Sequence, residues 1–292
     1  MTKTVLGIVG GSGIYDLPGL EDAEWVAIDS PWGRPSDALR IGTIDGLTVV
    51  FLPRHGRGHR VPPSEINFRA NIDVLKRAGV TDLVSISAVG SLKEELSPGT
   101  FVLVDQFVDR TFAREKSFYE TGFVAHVSVA DPVSPLLVDA VEAAARAEGI
   151  RHVRGGTYLV MEGPQFSSLA ESRLYRQWGC DVIGMTNMPE AKLAREAELC
   201  YATVAMVTDY DSWHPDHGSV DITQIIRVLH ENRDRAQGLV ARLARTIPRE
   251  HPPCPIGSDT ALEYAVMTAP EMRDPDLVAK LDAVAGRILA KG

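Results

Sequence analysis

The chain has 292 residues, enough to bury a large core within one domain, and its 45% hydrophobic and 24% charged content is ordinary for a globular protein. A formal net charge of −9 without a long basic run argues against a nucleic acid or an anionic membrane as the main partner. Cys180, Cys200 and Cys254 show no C-x-x-C spacing, no segment is apolar and long enough to span a bilayer, and no signal-peptide pattern precedes the first strand, so a reduced cytoplasmic protein without disulfide framework or zinc site is expected.

The apolar run 4–9 predicts a strand ending in Gly10-Gly11-Ser12-Gly13. The G-x-G-x-x-G spacing of a dinucleotide loop is not met, and Asp16-Leu17-Pro18-Gly19 breaks the helix that should follow. A tight turn and an anion nest of backbone N–H groups, with the Ser12 hydroxyl added, both remain open. Runs 39–44 and 47–52 flank Asp45-Gly46, a type I′ hairpin signal. After Pro53 comes the basic cluster Arg54-His55-Gly56-Arg57-Gly58-His59-Arg60, which stands out against the acidic background. An arginine fork suits a phosphate and the adjacent His55 adds a donor, while a solvated basic loop is the alternative.

Ser64 is placed to cap a helix over 65–78, with Gly79 where a C′ residue is wanted. Residues 83–87 form a short strand whose end offers the Ser87 hydroxyl and the Ala88 backbone N–H, and 101–104 form another. A helix over 135–148 precedes a strand over 157–161. The turn from Met161 through Phe166 and Ser167 leads to Ser168, which caps a helix reaching Trp178; Phe166 is either a platform for a flat ring or a core aromatic. After a strand over 181–184, the turn Gly184-Met185-Thr186 can aim backbone N–H groups, the Thr186 hydroxyl and Glu190 into a cleft, and Pro189 suits the first turn of a helix running to about 199.

The strand over 200–207 leads into Thr208-Asp209-Tyr210-Asp211-Ser212. Two acids at i, i+2 on extended backbone point the same way, and open α/β sheets bind ligands at the carboxyl ends of their strands. Such a pair can hold a proton and accept one; a solvated turn is the alternative. His214-Pro215-Asp216-His217 resembles a metal site but lacks further ligands, and no G-x-S-x-G elbow supports a hydrolase triad. A long amphipathic helix covers 221–245, the four prolines of 248–258 suggest a linker, and 275–289 is helical. That tail cannot bury a core alone, so it packs on its own body or on a neighbouring subunit. The alternation of these elements predicts an α/β, single-domain mixed twisted β-sheet flanked by helices.

Taken together, GGSG at 10–13, PWGRPSDAL at 31–39, PRHGRGH at 53–59, SAVGSL at 87–92, DQFVDRT at 105–111, EGPQFSS at 162–168, GMTNMPE at 184–190 and VTDYDSW at 207–213 resemble the nucleoside phosphorylase family, and within it the S-methyl-5′-thioadenosine phosphorylases. The resemblance spans about residues 4–245, which makes 1–247 the catalytic domain and 248–292 a Pro-rich linker with a C-terminal helical extension. It implies a phosphate site of Ser12, Arg54, His55, Ser87, Ala88 and Thr186, with Met185 by the ribose, Phe166 near the base, and Asp209 and Asp211 facing the purine edge. Ser167 and Val220 would govern selectivity, and His126 would close a neighbouring subunit's site in a homotrimer. The pattern is interrupted after Val220 by a short insertion, at the thioether end of the pocket.

The implied reaction is phosphorolysis of S-methyl-5′-thioadenosine, with inorganic phosphate as co-substrate and neither cofactor nor metal. It needs an anion beneath the sugar and a proton donor at N7 of the departing base, as Asp209 would supply with Asp211 in support. A carboxylate accepting from the exocyclic amine favours 6-amino over 6-oxo purines, whereas an apolar wall prefers methylthio over hydroxyl by only about 1–3 kcal/mol, so activity on adenosine is expected too. A phosphorylase for 6-oxopurine nucleosides or methylthioinosine, and a non-catalytic nucleoside sensor, are the competing readings.

Overall fold

The computed structural model describes residues 2–11, 14, 17–215 and 222–290, with side chains left aside for 222–225. Strand β1 (Leu6–Gly10) is buried along its whole length, as an unbroken apolar run requires of a central strand. Strand β2 (Glu21–Val26) follows at the sheet edge, where its exposed acidic residues give no apolar alternation and hence no strand signal. Strands β3 (Leu39–Ile44) and β4 (Leu47–Pro53) pair antiparallel around Asp45 and Gly46, whose φ values of 47° and 75° are both positive as a type I′ turn demands.

Helix α1 (Phe68–Arg77) starts later than Ser64 predicts. Pro63–Glu65 forms a 3₁₀ turn, and Asn67 takes the capping role by accepting from Ala70 N at 3.0 Å. Next come β5 (Asp82–Ser91), β6 (Phe101–Leu103), β7 (Gln106–Arg110), α2 (Pro135–Ala147), β8 (His152–Arg154) and β9 (Thr157–Met161). Helix α3 (Leu169–Gln177) begins with the expected Ser168 cap, completed into a capping box by Glu171. Strand β10 (Val182–Gly184), α4 (Asn187–Glu196), β11 (Cys200–Tyr210) and α5 (Ile222–Thr246) follow. The helix expected over 275–289 is instead two short ones, α6 (Pro275–Lys280) and α7 (Gly286–Leu289). Leu281, Val284 and Ala285 between them are buried, and Gly286 is a poor helix former at the restart.

The sheet runs β2-β3-β4-β1-β5-β10-β9-β7, while β11 lies on the other edge of β5 and is followed outward by β6 and β8. This mixed sheet with flanking helices is the predicted architecture. The branch at β5 makes the site. On one edge β5 pairs in parallel with β1 as far as Ser85 and antiparallel with β10 at Gly90 and Ser91. Residues 86–89 therefore have no strand on that edge, although β11 follows β5 along the other. The β11 pairing slips between Val207 (opposite Val89) and Asp209 (opposite Gly90), so Thr208 is the extra residue of a bulge.

The C-terminal segment shares this body's core, since Leu262, Leu277, Leu281 and Val284 belong to the same buried cluster as Val204 and Leu243. Arg287 also reaches Glu198, with an Nη2–Oε1 distance of 2.7 Å. Among the described residues no helix is long and apolar enough to cross a membrane.

Candidate active site

The carboxyl ends of β1, β4, β5, β10 and β11 open into one cavity of about 690 Å³. It lies at the gap in β5 pairing, so β5 lines it from Ile86 to Gly90, and Ala88 is exposed within an otherwise buried strand. Arg54, His55, Ser87, Thr186 and Met185 also line the cavity, as do Phe166, Asp209 and Asp211, so most of the residues singled out in the sequence come together here. Ser12 and Val220 lie outside the described residues, as do Asp216 and His217 of the histidine-bearing loop.

Arg54 is 1% exposed and does not offer its fork to the cavity. Glu190, on α4, takes it: Nε donates to Oε2 at 2.8 Å and Nη2 to Oε1 at 3.1 Å. Nη2 also donates to Val9 O and Ser85 Oγ, and one Nη1 N–H goes to Ile86 O at 3.1 Å, leaving the other Nη1 N–H as the donor without an acceptor among the described residues. Burial opposes the charge, but the Glu190 carboxylate outweighs it and holds the Arg54 pKa above its ordinary value. The fork that the sequence offers to a phosphate thus has Glu190 as its bidentate partner in this structure.

His55 points Nδ1 at Val61 O, 2.9 Å away; a carbonyl only accepts, so Nδ1 carries the proton and Nε2 is a lone pair. Burial, then the neighbouring Arg54 charge, push its pKa down to about 4, and its ring stacks on His59 with centroids 4.3 Å apart. Asn187 anchors a buried polar layer in this region. Its Oδ1 accepts from Ser87 Oγ at 3.1 Å, and the two N–H groups of its Nδ2 are within reach of the Ser85, Tyr201 and Thr203 hydroxyls. Thr186 occupies the N-cap position of α4 without capping it, and its hydroxyl lies beside that of Tyr158.

The bulge at Thr208 gives β11 two consecutive residues, Thr208 and Asp209, that both line the cavity, which strict alternation forbids. The Thr208 hydroxyl donates to Asp209 Oδ2 at 2.7 Å, and Asp209 Oδ1 lies 3.2 Å from where a Cβ on Gly90 would stand. Burial, reinforced by Asp211, raises the Asp209 carboxyl from 3.8 to about 6 against the Thr208 hydrogen bond. Asp211 is 4% exposed; burial raises its pKa too, with the Ser172 and Ser167 hydroxyls opposing. Its buried Oδ2 has no hydrogen-bond partner among the described residues, although the residue lines the cavity.

Ser167, to which the resemblance gives a part in selectivity, is not among the residues lining the cavity. It is buried behind the wall, with Oγ 3.7 Å from Met161 Sδ and its carbonyl accepting from Ser212. Phe166 is half-exposed, and His126 lies on a segment whose backbone bonds to Ala265, away from this cavity. Arg114 gave no sequence signal, because no local pattern links it to its partners. It is 8% exposed; Nη1 donates to Met185 O and Met188 O at 2.7 Å each, and Nη2 to Glu162 O, while Nε meets Glu162 Oε1 at 3.1 Å. It thus fastens the Met185-Thr186 turn to the end of β9. Tyr158 and Tyr201 were equally silent, since their hydroxyls sit on strands that read as apolar. Among the described residues no group of three or more His, Cys, Asp or Glu is placed to hold a metal.

A family model for the phosphorylase superfamily matches residues 5–245. S-Methyl-5′-thioadenosine phosphorylase of Bradyrhizobium diazoefficiens is 70% identical over 289 residues, 99% of each chain. The enzyme of that name from Cereibacter sphaeroides is 63% identical, covering 98% of this chain and 99% of that one. A crystal structure of methylthioadenosine phosphorylase from an antarctic soil metagenomic library superposes with a TM-score of 0.91 at 44% identity, covering 97% of this chain and 99% of the other. An adenosine/methylthioadenosine phosphorylase variant from Schistosoma mansoni, in complex with methylthioadenosine, superposes at 0.78 with 33% identity, covering 85% and 93%. Model match and relatives span nearly the whole cavity-forming chain, which belongs to the phosphorylase superfamily.

Proposed function

We propose that the chain catalyses phosphorolysis of S-methyl-5′-thioadenosine to adenine and 5-methylthioribose 1-phosphate, with inorganic phosphate as co-substrate and no cofactor. The observation that carries this reading is a carboxyl raised to about 6, Asp209, in the same cavity as the hydroxyl and backbone donors of β5 and the α4 turn. Phosphate sits against Arg54, His55, Ser87, Ala88 and Thr186, with Ser12 added. Met185 borders the ribose, Phe166 covers the base, and Ser167 and Val220 tune selectivity, Ser167 from behind the wall.

As the glycosidic bond stretches, the ribose becomes oxocarbenium-like, and the phosphate oxygen attacks C1′. Protonated Asp209 delivers its proton to N7, so the purine leaves neutral. Its other oxygen accepts from the exocyclic amine, and a 6-oxo purine would present an acceptor there instead. Residues 1–247 form the catalytic domain and 248–292 the extension. The assembly is a homotrimer in which His126 closes a neighbour's site, and the enzyme acts in the cytoplasm on small molecules, not on nucleic acid or membranes.

Steady-state release of adenine from methylthioadenosine, with and without phosphate, beside adenosine and methylthioinosine, tests this. Phosphate-dependent adenine release is expected to dominate. Faster turnover of methylthioinosine would give the site to 6-oxopurines, and adenine affinity without turnover would make the chain a sensor.

A further inference from the structure

The cavity uses none of the three cysteines, yet two of them meet at the opposite end of the sheet. Cys200 opens β11, and Cys254 sits in the proline-rich segment that folds back across the sheet's amino-terminal end, where Thr4 N donates to Arg249 O at 3.0 Å and His251 N to Thr2 O at 2.9 Å. The two thiols share neighbours: the backbone N of Ser134 donates to Tyr201 O beside Cys200 at 2.8 Å, and Asp259 Oδ2 accepts from Cys254 N at 3.1 Å while lying 4.0 Å from His251 Nε2. Cys254 Sγ also lies 3.6 Å from Ser134 Oγ, and Cys200 Sγ lies 3.9 Å from His251 Nε2. On its other side His251 donates from Nδ1 to Asp82 Oδ2 at 2.8 Å.

This is a Cys–His–Asp relay beside a second thiol, assembled from the starts of β5 and β11 and from the segment at 251–254. The hydrogen bond to Asp82 raises the His251 pKa despite its burial, which favours an imidazolium next to the sulfurs. The neighbouring Cys200 thiol lowers the Cys254 pKa and favours its thiolate. Cys254, between Pro253 and Pro255, is 8% exposed, whereas Cys200 is 2% exposed. The more accessible sulfur is therefore also the more anionic.

We propose that Cys254 and Cys200 are the attacking and resolving cysteines of a peroxide-sensitive dithiol, which closes to an intramolecular disulfide and fastens the proline-rich segment to the start of β11. The Cys254 thiolate attacks hydrogen peroxide, cleaving the O–O bond; the sulfur gains OH as a sulfenic acid, and the released hydroxide takes a proton from the His251 imidazolium to become water. Cys200 gives its proton to the now neutral His251 and attacks that sulfur; the S–O bond breaks, and the departing hydroxide takes the proton back from His251 as a second water. Two thiols lose two electrons, and the peroxide gains them. Cys180 is fully buried in a separate cluster and provides an internal control.

The test exposes the full chain to hydrogen peroxide, unfolds it in an alkylating agent and maps the cysteines by mass spectrometry, so the decisive measurement needs no variant to fold. Alkylatable thiols should fall from three to one. A peptide linking Cys200 to Cys254 should appear, and a dithiol reductant should restore all three. Cys200→Ser should stop at a sulfenic acid on Cys254, which a dimedone probe captures. Retention of all three thiols, a link through Cys180, or a link between two chains would each overturn the proposal.

Discussion

Replacing Asp209 by Asn probes the proposed chemistry most directly, because it keeps the shape and a Thr208 contact while removing the ionisable proton. Moving a carboxyl from 3.8 to about 6 corresponds to about 3 kcal/mol by which this pocket favours the protonated form over the charged one. General-acid catalysis is worth about 10²–10⁴-fold, so kcat/KM for methylthioadenosine should fall by at least about 100-fold at neutral pH. The active form is protonated Asp209, so wild-type kcat/KM should decline as pH rises through about 6, and the Asp209→Asn variant should lack that limb. The variant's stability should move the opposite way to its activity. A folded carboxyl with a raised pKa destabilises the fold once it ionises, so the penalty is absent below 3.8 and complete above about 6. The amide carries no such penalty, and the variant should gain up to about 3 kcal/mol at pH 7–8. Adenine release against pH, paired with thermal unfolding, checks both. Unchanged kinetics, or an alkaline limb surviving in the variant, would refute the assignment of Asp209 as the acid.

Glu190→Gln removes the charge facing a fully buried Arg54 and should cost about 3–5 kcal/mol in denaturant unfolding, with inorganic phosphate restoring more stability to the variant than it adds to the wild type. Arg114→Lys loses the fork that holds the Met185 and Met188 carbonyls; kcat should drop about tenfold or more with a smaller change in KM for the nucleoside, since positioning and not contact is disturbed. His55 has a folded pKa of about 4 against 6.5 unfolded, so the folded state binds fewer protons and stability should fall as pH drops from 6.5 towards 4, by at most about 3 kcal/mol. His55→Gln should flatten that part of the pH–stability curve.

Features carried by local pattern were legible in the sequence. Asp45-Gly46 with its flanking apolar runs gave the hairpin, Ser168 gave the α3 cap, and unbroken apolar runs gave β1, β9 and the body of β11. Strands β2, β7 and β8 were not, because edge strands with exposed polar residues have no period to read. The site separates along the same line. That Arg54, Thr186 and Asp209 would share a cleft follows from each sitting at or just past a strand end, whereas Ser87, read as a strand end, lies inside the longer β5 and reaches the cleft through the gap in its pairing. That Glu190 neutralises Arg54 across 136 residues, or that Arg114 grips two carbonyls more than 70 residues away, leaves no mark on either local segment. The Thr208 bulge is the intermediate case: it sits inside the most informative motif, but only the register with Val89 and Gly90 reveals it.

The Arg54–Glu190 pair bears on how the proposed site can turn over. A guanidinium aimed at the anion by both arms would bind phosphate tightly, and would bind the sugar phosphate product as tightly, since the same group is retained. Here the carboxylate of Glu190 already occupies the fork, one Nη1 N–H is left over, and His55 is neutral above about pH 4. In the proposed reaction the hold on phosphate then falls to the Thr186 hydroxyl and the unpaired β5 edge at Ala88, with the Ser87 hydroxyl available only by giving up its bond to Asn187. These are dipoles fixed before the reaction, and they need no reorganisation as charge moves from phosphate to the glycosidic bond. They add little uniform binding energy, which would lower KM without raising kcat. In the proposed reaction the gap in β5 pairing therefore matters twice: it frees backbone donors for the anion, and it allows the arginine beneath them to serve as a buried brace.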